Sequence, residues 1–234
     1  GYVLRLYYDF SGYSDMAAGL GKIFGFDFPE NFSWPLAAGS VTDFWRRWHM
    51  TLSGWFRDYV YIPLGGSRRG RGRQILNLTI VWLLTGLWHG VSWQFVLWGL
   101  LFAMLLAAEK LWLLKWLKRF GAVSHIYMFF VLAVAFALFQ SPDMAGAFRL
   151  LSEMFGFGGV SAVSAKALYA LRSFGLLLTA AVIGAMPAAP LCRKYFGRRA
   201  WYLNLKAVYC MLLLILCTAY LTDATYNPFL YFQF

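Results

Sequence analysis

The stretch that decides the fold is residues 75–114, which reads ILNLTIVWLLTGLWHGVSWQFVLWGLLFAMLLAAEKLWLL. Its first part, residues 75–88, spans about 21 Å as a helix, which is too short to cross a hydrocarbon core of about 30 Å. His89-Gly-Val-Ser92 follows, and a second apolar run extends from Trp93 to about Leu114. If the basic loops on either side are both cytoplasmic, this pattern predicts a helical hairpin or broken helix. Its turn, which holds His89, is expected well inside the membrane or near its far side.

The composition of the 234-residue chain is that of a membrane protein. Hydrophobic residues make up 61% of the chain and charged residues 13%, against about 45–50% and 25% in soluble domains. Further apolar runs predict crossings at about 123–140, 168–187 and 205–222. The predicted fold class is therefore all-α, a polytopic transmembrane helical protein with interfacial and re-entrant helices.

The net charge of +11 could by itself suggest a nucleic-acid partner, but the placement of the charges argues against one. Most Lys and Arg residues fall in three blocks between apolar runs, at 46–73, 110–119 and 193–206. Such blocks are typical of cytoplasmic loops under the positive-inside rule. We therefore expect no nucleic acid to bind, a solvated basic loop at 67–73, and segment 142–165 on the opposite side of the membrane.

Residues 1–28 are too polar to face lipid on all sides and are rich in small residues. We predict an inner helix here, because small residues let membrane helices pack closely. Its polar side chains, including Asp9 and Asp15, are expected to face protein or a wet cavity. Residues 29–42 contain two prolines and a glycine and predict a loop.

A continuous helix is predicted from Asp43 to about Val60, with Ser40 or Thr42 as its cap. At about 100° per residue, the aromatic residues of this helix fall in one arc of about 140°, with His49 near its edge and the arginines outside it. Such a helix lies in the membrane interface or packs its apolar arc on neighbouring helices.

Two of the three histidines, His49 and His89, directly follow a tryptophan. Histidine can accept and return a proton near neutral pH, and an ionisable residue inside a bilayer is by default a functional hypothesis. The alternative is that each imidazole hydrogen-bonds a backbone carbonyl in a helix contact. His125, at the start of a predicted crossing, is expected to be interfacial.

Signatures for other chemistry are missing from the sequence. It contains no GxxxxGK[ST], HExxH or GxSxG motif. Three cysteines without a CxxC pair, and two histidines without nearby carboxylate ligands, predict neither a disulfide framework nor a metal site. Asp9 and Asp15 lie about 240° apart on a helix and do not pair locally. Asp43 or Asp58 is expected to form an interfacial ion network with arginines.

Several motifs resemble the membrane-bound O-acyltransferase (MBOAT) family, specifically its bacterial alginate O-acetyltransferase branch. They are YDFSGYSDMA (8–17), PENF (29–32), DFWRRWHMTLS (43–53), YIPLGG (61–66), GLWHG (86–90) and the ending NPFLYFQF (227–234). Members are roughly twice as long, so the resemblance implies that residues 1–234 form one integral-membrane domain of partial MBOAT fold, truncated at its N-terminus. This half alone is expected to be inactive.

The resemblance implies acyl transfer onto a hydroxyl group. The family's signature histidine corresponds to His89, expected to act as general base on the acceptor hydroxyl and to return the proton to the leaving thiolate. The second site residue of this branch corresponds to His49, which is expected to hold the acyl carbonyl or to orient His89. Substrate binding is assigned, within the matching motifs, to Asp15, Asp43, Arg46, Arg47, Trp48 and Trp88.

The resemblance also implies a multi-pass protein of the bacterial inner membrane that acetylates an exported polysaccharide such as alginate. Membrane lipid, the polysaccharide acceptor and periplasmic acetyltransferase-complex proteins are the expected partners. No bound cofactor is expected, and the acyl donor is acetyl-CoA or another acyl thioester. Peptidoglycan O-acetylation and D-alanyl transfer to teichoic acid are alternative activities. A transporter built around a broken helix and a scaffold of a secretion complex are the non-enzymatic alternatives.

Overall fold

The computed structural model describes residues 1–157, 159 and 163–223, and every regular element in these ranges is helical. The predicted all-α class is therefore confirmed. The ending at 227–234 lies outside the described residues. The helices are α1 (Tyr2–Ile23), α2 (Val41–Trp45), α3 (Met50–Phe56), α4 (Arg71–His89), α5 (Trp93–Ala108), α6 (Leu114–Arg119), α7 (Gly121–Gln140), α8 (Met144–Met154), α9 (Ala165–Gly184), α10 (Ala188–Phe196) and α11 (Ala200–Asp223). A 3₁₀ turn at Pro35–Ala37 and π-helical turns at Arg57–Tyr61 and Glu109–Leu113 complete them.

Four helical stretches among the described residues are long and apolar enough to cross a membrane. They match the predicted crossings and make the chain a multi-pass membrane protein. The first is formed by α5, the second π turn and α6 together. The four stretches are Trp93–Arg119, Gly121–Gln140, Ala165–Gly184 and Trp201–Thr222.

The α4–α5 hairpin predicted from the sequence is present, and its turn is Gly90–Ser92. The two helices cross where Gly86 faces Gly99. A Cβ atom on Gly86 would collide with the backbone carbonyl of Phe95, and one on Gly99 with that of Trp82. Glycines at a helix crossing allow this close approach, so the hairpin fixes the position of His89 at its turn.

Helix α4 begins earlier than predicted. The expected basic loop at 67–73 is wrong in its last residues, because Gly70 adopts a φ of 87° and the helix starts at Arg71. Arginine is a good helix former, so a basic composition does not prevent a helix here. With 19 residues, α4 is nearly 30 Å long, but it is not apolar enough to be one of the four crossings.

The predicted continuous helix from Asp43 to Val60 is wrong. Helix α2, capped as expected by Ser40, ends at Trp45, and α3 starts only at Met50. Backbone groups at the break lose helical hydrogen bonds and pair with the preceding loop instead. The backbone N–H of Ser33 donates to the carbonyl of Arg47 (2.9 Å), and that of Met50 donates to the carbonyl of Asn31 (3.0 Å). These long-range bonds override the helical periodicity.

The single aromatic arc predicted for this segment does not exist either. Trp45 and Trp48, before and within the break, are buried, whereas Trp55 and Tyr59 beyond it are 52% and 69% exposed. The break therefore turns the two tryptophans and His49 inward, and it leaves the later aromatic residues on the surface.

A buried acid that the sequence analysis did not single out anchors this segment. Glu109, 1% exposed, opens the second π turn. Its carboxylate accepts hydrogen bonds from the backbone N–H groups of Val41 (2.6 Å) and Thr42 (2.8 Å) and from the Thr42 hydroxyl (2.7 Å). The Tyr127 hydroxyl of α7 donates a further one at 3.3 Å. Glu109 thus ties the start of α2 to two membrane-spanning helices.

The two ends of the helix hairpin differ in charge. At one end, Gln94 donates to the carbonyls of Ser141 (3.4 Å) and Pro142 (3.1 Å), so the turn after His89 lies beside the end of α7. At the other end lie the start of α4, with Arg71, and the basic residues of α6. The cations therefore gather at one end of the hairpin, and the cytoplasmic placement of this end stays a prediction.

We expect Glu109→Ala, introduced into the native gene, to destabilise the protein by on the order of 3 kcal/mol, because two backbone N–H groups lose their acceptor. Glu109→Gln keeps one acceptor oxygen and should fall between this variant and the unmodified protein. Thermal unfolding in detergent measures the effect.

The matched control is Glu153→Ala, which removes a carboxylate whose partner among the described residues is Arg149, on the exposed face of α8. An exposed pair of this kind contributes little. Equal melting temperatures for the Glu109→Ala and Glu153→Ala variants would contradict the anchoring role.

Candidate active site

His49 and His89 line one cavity of about 180 Å³. Four parts of the fold form its wall: α1, the break between α2 and α3, the α4–α5 hairpin and α7. We call it the histidine cavity. Its lining side chains are Leu6, Phe10, Trp45, Trp48, His49, Trp88, His89, Trp98, Phe136 and Phe139.

His89 is the last residue of α4, and aromatic rings fix its orientation. Its ring centroid lies 5.2 Å from that of Trp98 and 5.1 Å from that of Phe139, both nearly perpendicular to it at 83°. Edge-to-face contacts of this kind are favourable. The imidazole is therefore held in one place by α5 and α7.

His49 sits in the break, in a backbone conformation that few side chains adopt. Its φ is 47°, the left-handed region in which a non-glycine residue is uncommon and strained. Its ring packs edge-on against Phe10 of α1 at 4.7 Å. Strained residues of this kind cluster at functional sites, and here the strain directs the imidazole into the cavity.

Trp88 lies close to both imidazoles. Its ring centroid is 6.1 Å from that of His49 and 4.9 Å from that of His89, and the side chain is 55% exposed. Trp48 also lines the cavity but is buried, with its ring stacked on Phe44 at 5.4 Å. Both predicted tryptophans therefore line the same cavity as the histidines. Trp48 forms a buried part of its wall, and Trp88 forms an exposed part.

Both imidazoles are neutral at pH 7. Burial lowers the pKa of His49 from 6.5 to about 4, because a charged ring would lose its hydration. Burial, and secondarily the nearby His49, lowers the pKa of His89 to about 4 as well. Neither residue belongs to the four membrane-crossing helices. In the part of the chain that the structure describes, no hydrogen bond occupies a ring nitrogen of either, so the helix-contact alternative receives no support.

The other predicted substrate contacts do not reach this cavity. Asp43 forms an ion pair with Arg47 at 3.0 Å, as expected of an interfacial network, and the pair is partly exposed. Asp15 lies on the exposed side of α1 rather than against protein. Arg46 lines a separate cavity of about 260 Å³ together with Arg57 and Lys110, which we call the basic cavity.

The basic cavity adjoins the histidine cavity, because Trp45 lines both. A third cavity, of about 490 Å³, is larger than either but contains neither His49 nor His89. It is lined mainly by apolar residues of α1, α7 and α9, with His125 on its wall. Within the described ranges, no three His, Cys, Asp or Glu side chains come together closely enough to hold a metal ion.

Sequence reasoning missed two residues of the site, Trp45 and Trp98. Both line the histidine cavity, and both indole N–H groups are buried without a hydrogen-bond partner in the described structure. Trp98 is only 1% exposed. In the sequence nothing distinguishes it from the other tryptophans of an apolar helix, which are most often packing residues.

Comparison with known proteins gives a consistent family assignment. Residues 2–141 match the model of the membrane-bound O-acyltransferase family, MBOAT. This range contains α1 to α7 and all the residues that line the histidine cavity.

Named relatives match over most of the chain. The probable alginate O-acetylase AlgI of Pseudomonas putida is 36% identical over 100% of this chain and 52% of its own length. The AlgI of Azotobacter vinelandii is 41% identical over 78% of the chain and 37% of its own length. A peptidoglycan O-acetyltransferase of Helicobacter pylori is 38% identical over 68% of the chain and 31% of its own length. The chain thus spans about half the length, or less, of the curated relatives it matches.

Proposed function

The chain belongs to the membrane-bound O-acyltransferase family, and we propose that it supplies the catalytic residues of an enzyme that acetylates hydroxyl groups of an exported polysaccharide such as alginate. One observation carries the proposal: His49, in the break after α2, and His89, at the end of α4, come from different motifs yet line a single cavity. The P. putida and A. vinelandii relatives, both named probable alginate O-acetylases, support this choice of reaction.

We assign the general base to His89. Its neutral ring takes the proton of the acceptor hydroxyl while the hydroxyl oxygen attacks the carbonyl carbon of an acyl thioester. A new C–O bond forms, the C–S bond breaks, and His89 returns the proton to the leaving thiolate. The imidazole ends the cycle neutral, as it began, and no further reactant is required.

His49 is proposed to orient the acyl group or His89. It is fixed by the strained break, and Trp88 lies near both its ring and that of His89. Holding two reactants in the right geometry contributes much of the acceleration in such a reaction. Trp48 and Trp88 remain the proposed substrate contacts within the cavity, with the exposed Trp88 ring available to the acceptor.

The acyl donor is proposed to approach from the basic cavity. Three cations, Arg46, Arg57 and Lys110, line it, and they suit the phosphate groups that thioester donors such as acetyl-CoA carry. Both π-helical turns contribute to this cavity, through Arg57 and Lys110, and such turns are frequent at functional sites. Arg47, Asp43 and Asp15 lie outside both cavities and remain proposed contacts for substrate parts that extend beyond them.

The acceptor is proposed to arrive from the opposite end of the hairpin, where the turn that follows His89 lies. This fits a protein of the bacterial inner membrane that works with periplasmic acetyltransferase-complex proteins. Peptidoglycan is the second candidate acceptor, because the H. pylori relative, a peptidoglycan O-acetyltransferase, matches 68% of the chain. Acetate released by mild alkali from isolated exported glycan and from isolated peptidoglycan distinguishes the two.

We expect His89→Ala, made in the native gene, to lower glycan acetylation by at least about 10²-fold, the range for loss of a general base. The measurement is ester-bound acetate per sugar, with the amount of protein in the membrane determined alongside. The control is His125→Ala, which removes the third histidine from the wall of a different cavity and should leave acetylation unchanged. Normal acetylation in the His89→Ala strain would contradict the assignment. That result is the one expected if the protein were a transporter or a scaffold.

The lowered pKa of His89 gives a prediction for pH dependence. Because the ring stays neutral until the pH falls toward about 4, kcat/KM should be flat from pH 8 to about pH 5.5 and decline only below that. A histidine of ordinary pKa would lose half its activity near pH 6.5. Initial rates with a purified acceptor between pH 4 and 8 measure this profile, and an inflection near 6.5 would show that the working base is not a buried imidazole.

A further inference from the structure

We propose that Phe136 restricts the transferred acyl group to a short one, because its side chain closes the histidine cavity toward the larger, apolar cavity and denies a longer chain that space. The inference rests on the proposed acyltransferase function and adds a specificity-determining residue to it. Phe136 makes and breaks no bond in the reaction. It limits how far the acyl chain can extend from the carbonyl carbon that is attacked beside His89.

The first observation is the position of Phe136 at the boundary of two cavities. It lines the histidine cavity, of about 180 Å³, and also the larger cavity, of about 490 Å³. Among the described residues no other lines both. The two spaces therefore meet at this residue, and we expect a smaller side chain here to join them.

The second observation is that the basic cavity meets the histidine cavity at a different place. Trp45 lines those two, whereas the basic and larger cavities have no lining residue in common within the described ranges. A donor whose carrier lies in the basic cavity, as proposed above, therefore enters on the side of Trp45. Phe136 belongs to another part of the wall, on α7, where the end of an entering acyl chain can meet it.

The histidine cavity is small. At about 180 Å³ it is below the size of typical ligand pockets, which measure about 300–1,000 Å³. It has to hold the reacting carbonyl and the acceptor hydroxyl together, so it leaves room for a short acyl group while Phe136 keeps it closed. Both AlgI relatives are named as acetylases, which agrees with a short group.

The larger cavity, by contrast, suits a hydrocarbon chain. Its lining residues on α7 recur at helical spacing from His125 to Gln140, a rise of about 22 Å. Most of its lining side chains are apolar, and burial of each additional methylene among such side chains is favourable. The closed wall at Phe136 therefore excludes donors that the larger cavity would otherwise accept.

Close packing fixes the Phe136 side chain, which is 3% exposed. Its ring centroid lies 5.7 Å from that of Trp48 and 6.1 Å from that of Phe139. Phe139 in turn lies 5.1 Å from His89, so one aromatic ring connects Phe136 to the proposed general base. A packed interior does not admit extra methylenes without cost, and the wall is therefore firm enough to select by length.

The test compares Phe136→Ala and Phe136→Leu with the unmodified protein, each expressed from the full native gene in a strain that lacks its own copy. Inside-out membrane vesicles receive equal amounts of acetyl-CoA, propionyl-CoA and butyryl-CoA in competition. The acyl esters on the glycan are then released by alkali and counted. Their ratios equal the ratios of kcat/KM for the three donors, whatever the amount of protein.

We expect the butyryl-to-acetyl ratio to rise by at least about 10-fold in Phe136→Ala, since one methylene in an apolar pocket changes discrimination by about 10–200-fold. Phe136→Leu opens less space and should raise the propionyl-to-acetyl ratio first. A merely structural role for Phe136 would lower transfer from all donors alike and leave these ratios unchanged.

The matched control is Leu132→Ala. Leu132 is buried one turn earlier on α7 and lines the larger cavity but not the histidine cavity. Its truncation loosens the same helix and enlarges the same cavity without opening the wall, so the ratios should stay at those of the unmodified protein.

Unchanged ratios in Phe136→Ala would overturn the proposal, and so would an equal rise in Leu132→Ala, because general loosening would then be the cause. If Phe136→Ala does not accumulate in the membrane, the propionyl-to-acetyl ratio of Phe136→Leu decides in the same way. His89→Ala, assayed beside them, separates the two levels. If it forms no esters while the Phe136 variants keep the original ratios, only this inference fails. If it acetylates normally, the proposed function itself fails.

Discussion

The site depends on a buried carboxylate far from it in sequence. Glu109 lies in a membrane-spanning helix and accepts the first backbone N–H groups of α2, while Tyr127 of α7 donates to the same carboxylate. Burying a carboxyl group is costly unless it is hydrogen-bonded, and both oxygens of this one have donors. Because α2 is only five residues long and ends at Trp45, fixing its start also fixes the entry to the break that carries Trp48 and His49.

The second constraint is close helix packing. Gly86 and Gly99 let α4 and α5 touch backbone to backbone, which brings His89 at the end of one helix beside Trp98 on the other. The anchor sets the position of His49 and the glycine crossing sets that of His89. The two imidazoles are thus placed by independent parts of the fold, and α7 closes the space between them with Phe136 and Phe139.

Sequence patterns predicted the features of the fold that depend on local hydrophobicity and turn residues. The four crossings, the hairpin and the cap at Ser40 follow from apolar runs and turn residues, and each is present. The predicted helix from Asp43 to Val60 is wrong because two residues distant in sequence satisfy the backbone at the break: Asn31 accepts a hydrogen bond from Met50, and Ser33 donates one to Arg47. Glu109 was missed for a similar reason: its role arises from contacts between helices, which one-dimensional periodicity does not contain. That His49 and His89 share a cavity was expected from the family resemblance, and the structure brings them together.

The central claim is that acyl transfer takes place in the cavity between these two histidines. A cryo-electron microscopy map of the full protein in lipid nanodiscs, with a thioether analogue of the donor that cannot transfer its acyl group, tests it most directly. We expect density for the acyl group inside this cavity, with its carbonyl carbon close enough to His89 for an acceptor hydroxyl, about 3 Å from the ring nitrogen, to attack it. Acyl density in the larger cavity beside His125, with the histidine cavity closed to it, would contradict the account.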